Sequence, residues 1–164
     1  EGAQGDVVSA ANLNAPGQVV IAGSKDAVAR AIELAKARGA RRAIPLPVSA
    51  PFHCALMAPA QERLAPELRA LAASDPVVPV VANVDAEVKR DARSAIEALV
   101  AQVCAPVRWE QVMHRLASEG IRKYVEVGPG TVLTGLGRKI LKDGAFLTIE
   151  DPADLDAVVA GLMS

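Results

Sequence analysis

Aromatic residues and long apolar runs are scarce in this chain of 164 residues. Aromatics make up 2% of the sequence although hydrophobic residues make up 51%, so a core must be built from alanine, valine, leucine and isoleucine. No apolar run reaches the roughly 18 residues that a membrane-spanning helix needs, so no membrane partner is expected. Valine-rich runs alternate with alanine-rich stretches, which is typical of an α/β fold.

An excess of charge of one sign is also missing. The 18 basic and 19 acidic residues give a net charge of −1, which excludes the basic field typical of nucleic-acid-binding proteins. Two cysteines are too few for a disulfide framework and indicate a reduced, cytoplasmic setting. Neither a signal peptide nor an initiator methionine is present, and we expect the chain to be a fragment.

His53 is the clearest candidate for a chemical role. It follows a proline-rich connector and precedes an apolar helical stretch, so it falls in a loop where a scaffold can display a general base. Imidazole exchanges a proton near neutral pH, and a partner on its second nitrogen, often a backbone carbonyl, fixes its tautomer. The alternative is an ordinary packed or surface histidine, and no residue resembles the nucleophile that this base would serve.

The turn Gly128-Pro129-Gly130 lies between a predicted strand and a predicted helix. That position suits an anion at a helix N-terminus. A dinucleotide fingerprint requires a further glycine at position 133, which is Leu133 here. A tight strand-to-helix turn is therefore favoured over nucleotide binding.

The cysteines and histidines do not form a metal-binding pattern. The conceivable zinc ligands lack the usual C-x2-C or H-x3-H spacing, so no metal is predicted: His53, Cys54, Cys104 and His114. Neighbouring side chains in sequence rarely point at each other, so Cys54 is expected to be a packed thiol rather than a nucleophile.

A small basic cluster consists of Arg38, Arg41 and Arg42. A solvated edge is the favoured interpretation. The weaker functional interpretation is a docking site for an acidic partner.

Hydrophobic periodicity predicts alternating strands and helices, hence a mainly parallel sheet. Pro66 should kink or break the second helix. The predicted strands are 7–13, 18–22, 41–46, 77–84, 123–127 and 145–149, and the predicted helices are 25–38, 59–73, 92–103, 109–118, 131–141 and 152–162.

Four sequence blocks, at 12–23, 46–57, 79–85 and 126–136, together resemble the bacterial malonyl-CoA:acyl-carrier-protein transacylases. The blocks occur in the order of that family and extend over nearly the whole chain. The resemblance implies that residues 47–164 are the C-terminal part of an α/β-hydrolase-like acyltransferase core with a parallel sheet. Residues 1–46 would be an incomplete ferredoxin-like small subdomain that lacks its first strand and helix.

The resemblance also implies an activity. The family transfers malonyl from coenzyme A to the phosphopantetheine thiol of acyl carrier protein through an acyl-serine, with the coenzyme A thioester as substrate and no cofactor. His53 matches the catalytic histidine, and Gln102 matches the residue whose backbone carbonyl orients it, so the glutamine side chain should matter little. Further positions are expected to line or support the cleft: Asn14, Phe52, Gly128 and Gly130.

The chain departs from the family in what it lacks. The Gly-x-Ser-x-Gly nucleophile elbow is absent, as are the glutamine loop of the oxyanion hole and the arginine that binds the malonyl carboxylate. All of these belong to the family's N-terminal half, so the isolated chain is predicted to be inactive and to require that half as a partner. Two alternatives stay open: an acyltransferase domain of a polyketide synthase, or a non-catalytic module that binds carrier protein.

Overall fold

The computed structural model describes residues 3–163, which form an α/β fold. The helices are α1 (Lys25–Ala37), α2 (Ala58–Arg69), α3 (Ala92–Gln102), α4 (Trp109–Ser118), α5 (Val132–Ile140) and α6 (Leu155–Met163). The strands are β1 (Val8–Ala15), β2 (Gln18–Gly23), β3 (Val80–Val81), β4 (Val88–Lys89), β5 (Lys123–Val127) and β6 (Ala145–Ile149).

An antiparallel hairpin forms the N-terminal part of the described chain. Strands β1 and β2 are joined at Gly17, whose φ of 73° lies in the left-handed region that glycine adopts readily. Helix α1 then packs against both strands and buries Ala27 completely. The hairpin is also packed against α4 and α5 through β1, so it is attached to the rest of the structure.

The C-terminal part is a β-α-β unit. Strands β5 and β6 pair in parallel, and the crossover contains α5, as a parallel connection requires. Tyr124 and Phe146 sit opposite each other on these strands, and their rings stack with centroids 4.8 Å apart. Helix α5 approaches the sheet at Gly137, which is buried beneath the Phe146 ring.

The sequence predicts a mainly parallel sheet, and for the described residues this prediction is wrong. They form three separate two-stranded sheets, of which only β5–β6 is parallel. The predicted strand 41–46 is wrong as well, because residues 42–48 have no regular secondary structure. Of the predicted strand 77–84, only Val80 and Val81 pair with a neighbour. Apolar residues favoured a strand in both segments, but a strand also needs a hydrogen-bonding partner.

Two helix predictions needed smaller corrections. Helix α2 continues through Pro66 but ends at Arg69, four residues before its predicted end at Ala73. Proline lacks only the N–H that would have bonded one turn earlier, and its own carbonyl still accepts from Ala70 at 3.0 Å. The last predicted helix begins as a 3-10 turn, Pro152–Asp154, before α6.

The core is small and made of small side chains. The buried hydrophobic residues are mostly alanines and valines, and the others are Met113, Cys54 and Leu136. Many large apolar side chains remain exposed, and Val77 and Met163 are the extreme cases at 101% and 85% exposure. Within residues 3–163, none of the helices combines the length and the apolar character that a membrane span requires.

Candidate active site

His53 lies in the loop between the proline-rich connector, residues 45–51, and α2, and one residue, Cys54, separates it from the 3-10 turn Ala55–Met57. Its backbone has φ of 61°, a left-handed conformation that is uncommon for a residue with a Cβ atom. The side chain is half-buried. A strained backbone at a half-buried histidine is a combination that is enriched at functional sites.

Hydrogen bonds of the neighbouring residues hold the His53 loop. The Cys54 thiol donates to the carbonyl of Pro51 at 3.1 Å, and the Met57 N–H donates to the carbonyl of Cys54 at 3.0 Å. Cys54 is 1% exposed and anchors the loop in the core. These contacts stabilise the unusual backbone conformation of His53.

The imidazole contacts the end of α3. His53 Nδ1 lies 3.0 Å from the main-chain oxygen of Gln102, the last residue of that helix. A carbonyl oxygen only accepts, so this bond requires a proton on Nδ1. Nε2 of the same ring then carries the lone pair that a general base needs.

The N-terminus of helix α3 is stabilised by a side-chain cap. The Asp91 carboxylate caps it by accepting the Ser94 N–H at 2.8 Å. Hydrogen bonds from the Ser94 hydroxyl and N–H hold the pKa of Asp91 below its usual value. The helix therefore begins at a defined residue and presents the Gln102 carbonyl at its other end.

The segment after Gln102 is tied to the hairpin. The Leu13 N–H donates to the carbonyl of Val107, and the Val107 N–H donates to the carbonyl of Ala11, both at 2.8 Å. Asn12 and Val107 thereby form a parallel bridge. Strand β1 thus supports the backbone that follows the histidine's partner.

Asn14 and Phe52 are placed near this region without a described bond to the imidazole. Asn14 lies where the register of β1 shifts between Leu13 and Ala15, a bulge in the hairpin. Phe52 is 51% exposed, directly before His53. Two surface grooves follow α2 and α3, and neither of them is lined by His53.

Gly128 and Gly130 form the tight turn between β5 and α5, with φ of 132° and 84°. Their N–H groups are already in use. Gly128 donates to the carbonyl of Ile149, and Gly130 donates to the Glu150 carboxylate, both at 2.9 Å. This turn was predicted as the favoured alternative to nucleotide binding.

The N-terminus of α5 is occupied by a carboxylate of the chain itself. Glu126 Oε1 accepts the Leu133 N–H at 3.0 Å, and Oε2 accepts the Thr134 N–H at 2.6 Å. Desolvation alone would raise the pKa of Glu126, but the hydrogen bonds from Thr134 and Leu133 lower it overall. A phosphate would have to displace this side chain, which argues against nucleotide binding here.

The cysteines and the second histidine do not add a catalytic group. Both cysteines are free thiols. Burial raises the pKa of the Cys104 thiol, and the nearby Cys54 thiol adds to the rise, which disfavours a thiolate. His114 is exposed on α4. The part of the chain that the structure describes contains no metal-binding cluster of three or more histidine, cysteine or acidic side chains.

Sequence reasoning missed two features that organise the site. One is the pairing of Asn12 with Val107, which joins residues far apart in the chain and has no local pattern. The other is the Glu126 cap of α5. Its signal was available, since an acidic residue at the end of a strand can reach the first N–H groups of the following helix.

A comparison with protein families identifies the matching domain. Residues 2–163 match the family described as "Acyl transferase domain". The chain is 50% identical over 159 residues to the malonyl CoA-acyl carrier protein transacylase of Salmonella typhimurium. That alignment covers 97% of this chain but 52% of the relative, so the chain spans about half the length of the curated relatives it matches.

Solved structures agree with the family match. An acyl carrier protein S-malonyltransferase from Vibrio cholerae superposes with a TM-score of 0.92 at 50% identity, covering 96% of this chain and 51% of that structure. A malonyl-transacylase solved in complex with its type II polyketide acyl-carrier protein gives a TM-score of 0.93 at 45% identity, covering 97% of this chain and 52% of that one. The arrangement of helices and strands around His53 is therefore shared with these proteins.

Proposed function

Because the chain belongs to the acyl transferase domain family, we propose that it is the histidine-bearing part of a malonyl-CoA:acyl carrier protein transacylase. The hydrogen bond between His53 Nδ1 and the Gln102 carbonyl, at 3.0 Å, carries this proposal. It fixes the tautomer in which Nε2 is the base. A main-chain carbonyl in this role replaces the carboxylate of a conventional triad.

The proposed reaction has two half-reactions. His53 Nε2 accepts the proton of a serine hydroxyl as its oxygen attacks the thioester carbonyl of malonyl-CoA. The C–S bond breaks, and the imidazolium returns the proton to the departing coenzyme A thiolate. In the second half, the imidazole takes the proton of the carrier-protein thiol, whose sulfur attacks the acyl-serine, and the serine oxygen leaves with that proton.

The serine is proposed to come from polypeptide that corresponds to the half of the relatives that this chain does not match and that packs against the described residues. No Gly-x-Ser-x-Gly occurs in the sequence. The accessible surface is 10646 Å², whereas a compact monomer of this 17.0 kDa mass exposes about 7,700 Å². Much of the exposed surface is apolar, including Leu46, Val48, Val77, Val78 and Val80. Extensive exposed apolar surface supports the proposal that another part of the protein covers it.

The same polypeptide would supply the groups that the resemblance assigns to the N-terminal half. These are the oxyanion-hole donors and the arginine that binds the malonyl carboxylate. Asn14, Phe52, Gly128 and Gly130 are proposed to line or support the cleft that forms when the two parts meet. Residues 1–46 are proposed as the small subdomain and residues 47–164 as the core, with the hairpin bracing the backbone after Gln102.

The carrier protein is proposed to belong to fatty-acid synthesis. The block 46–57 as a whole favours a discrete enzyme over an acyltransferase domain of a polyketide synthase. A type II polyketide carrier protein, as in the related complex, is the second candidate. Measuring malonyl transfer to each of the two carrier proteins as acceptor distinguishes the candidates. A cytoplasmic setting without a nucleic-acid or membrane partner is proposed from the free thiols and the balanced charge.

A reconstitution experiment tests the function. The half of the Salmonella typhimurium relative that this chain does not match is fused to, or mixed with, the chain. Transfer of labelled malonyl from coenzyme A to acyl carrier protein is then measured. We expect transfer in the reconstituted protein and a loss of at least about 100-fold in His53→Ala, since a general base contributes roughly that factor.

The matched control is His114→Ala, which removes the exposed histidine of α4 and should keep full activity. The chain alone should retain no labelled malonyl after denaturation, because it lacks the nucleophile. Stable labelling of the isolated chain, or a reconstituted His53→Ala protein as active as its parent, would overturn the proposal.

A further inference from the structure

The side chain of Gln102 makes contacts that its backbone role does not require. Its amide Nε2 donates to the carbonyl of Ala105 at 2.8 Å and so spans the turn that follows α3. The amide oxygen Oε1 is buried and has no hydrogen-bond partner among the described residues. A buried amide that leaves its acceptor unpaired incurs a desolvation cost, which indicates that the donor side has a specific use.

The backbone by itself holds this turn weakly. The Cys104 N–H reaches the carbonyl of Ala101 at 3.3 Å, and the Val103 N–H reaches that of Val100 at 3.4 Å. Both distances exceed the usual N···O separation of about 2.9–3.0 Å for an N–H···O hydrogen bond, so these two bonds are weak. The amide contact from Gln102 to Ala105 is the shortest of the three.

The same amide lies close to the imidazole. Gln102 Nε2 is 3.4 Å from His53 Nδ1, while the main-chain oxygen of Gln102 is 3.0 Å from it. The two contacts require opposite tautomers. Nδ1 must carry a proton to donate to the carbonyl, but it must present its lone pair to accept from an amide N–H. Only the first leaves Nε2 available as a base.

We propose that the Gln102 side chain is a positioning group that selects the base-competent tautomer of His53. By donating to Ala105, the amide holds the turn so that the main-chain carbonyl faces Nδ1. The 2.8 Å bond to Ala105 is much shorter than the 3.4 Å approach of the same nitrogen to Nδ1, so the amide donates chiefly to the turn and not to the ring. The catalytic role of this arrangement rests on the proposed function, whereas the choice of tautomer depends only on the contacts of His53 and Gln102. The resemblance predicts little role for this side chain, and the contacts assign it a larger one.

Nitrogen-15 NMR of the two imidazole rings in the full chain tests the inference. The ring nitrogen shifts distinguish the Nδ1–H tautomer from the Nε2–H tautomer. His114 is the internal reference, assigned with His114→Ala. We expect the Nδ1–H pattern for His53 in the parent chain.

Gln102→Met removes the amide at nearly constant length, and the His53 shifts should move toward those of a mixture of tautomers. Gln102→Asn, which keeps an amide but is too short to reach Ala105, should do the same. Gln102→Glu should retain the Nδ1–H pattern, because a carboxylate beside Nδ1 accepts its proton. The tautomer is the readout that a merely structural role would not move, because a variant that only lost stability would keep the Nδ1–H pattern while it stays folded.

The matched control is Gln111→Met on the exposed face of α4, which should leave both rings unchanged. Circular dichroism verifies that each variant is folded. Parent-like His53 shifts in folded Gln102→Met or Gln102→Asn would overturn the inference, and so would a parent chain whose His53 carries its proton on Nε2. The readout needs no nucleophile, so a failed reconstitution of transfer would contradict the proposed function and leave this result standing.

Discussion

The Glu126 carboxylate lies 2.6 Å from the backbone nitrogen of Thr134 and so closes the N-terminus of α5 from within the chain. Thr134 is itself buried, at 4% exposure, so the bond is made where the helix meets the core. The position that might otherwise hold an external anion is thus used for stability. This hydrogen bond is the reason why the turn around Gly128 does not serve as a phosphate-binding site.

Glu126→Gln should destabilise the chain in a pH-dependent way. The lowered pKa of Glu126 means that its carboxylate is favoured in the folded state. Its contribution is complete above the ordinary glutamate pKa of about 4.3 and is lost as the pH falls through the lower folded-state value. Urea unfolding of both proteins should therefore show a difference at neutral pH that disappears in acid. Glu67→Gln on exposed α2 is the control, and an equal gap at all pH values would contradict the expectation.

Two glycines in α5 should respond oppositely to alanine. A Cβ atom at Gly137 would overlap the Phe146 ring, with Cζ at 2.7 Å, whereas a Cβ at Gly135 meets nothing within 4 Å. Gly137→Ala should cost roughly 1–3 kcal/mol through overpacking. Gly135→Ala should stabilise by about 0.5–1 kcal/mol through helix propensity. Thermal and urea unfolding compare the two, and equal effects would show that the helix–ring contact is absent.

The left-handed backbone of His53 predicts a preference for glycine over alanine at this position. His53→Gly should be more stable than His53→Ala by about 1 kcal/mol, because glycine adopts positive φ without a Cβ clash. Both variants lack the imidazole, so the difference isolates the backbone. Ser49, exposed in the same connector and without positive φ, provides the matched Gly and Ala pair. If the stability difference between the Gly and Ala variants is the same at His53 as at Ser49, the backbone of His53 is not strained.

Charge reversal at Arg41 and Arg42 tests the docking of carrier protein. Both side chains are exposed in the irregular segment before His53. If an acidic carrier protein docks there, the double change to glutamate should weaken binding about tenfold at low salt and less at high salt. Calorimetric titration of the full chain measures it. Arg63→Glu on exposed α2 reverses one charge elsewhere and should have little effect, and equal weakening per reversed charge would argue for nonspecific attraction.

Local patterns predicted the elements that are stabilised locally. Helix α4 occupies 109–118 as predicted, and β5 and β6 have their predicted bounds. Strands β1 and β2 lie close to the predicted ranges 7–13 and 18–22, and Pro16-Gly17 between them is a turn signal of short range. In each case the information lay within a few residues of the element itself.

The segments 41–46 and 77–84 failed for a common reason. Their apolar residues are compatible with strands, but pairing depends on a partner that no local pattern can reveal. Ile44, at 52% exposure, and Val78 lie on surface that the described chain leaves uncovered. The same holds for β4, whose two residues have no recognisable pattern and form a strand only opposite β3.

The sequence by itself determined the α/β class, the position of His53 in a loop and, through resemblance, the identity of Gln102 as its partner. Only the tertiary structure decided that the imidazole and the carbonyl meet at 3.0 Å across 49 positions of the chain. It also decided that the amide of the same glutamine bonds to Ala105 and that Glu126 closes α5. The reason is physical: residue type limits what a side chain can donate or accept, but distance and direction are set by the packing of distant segments.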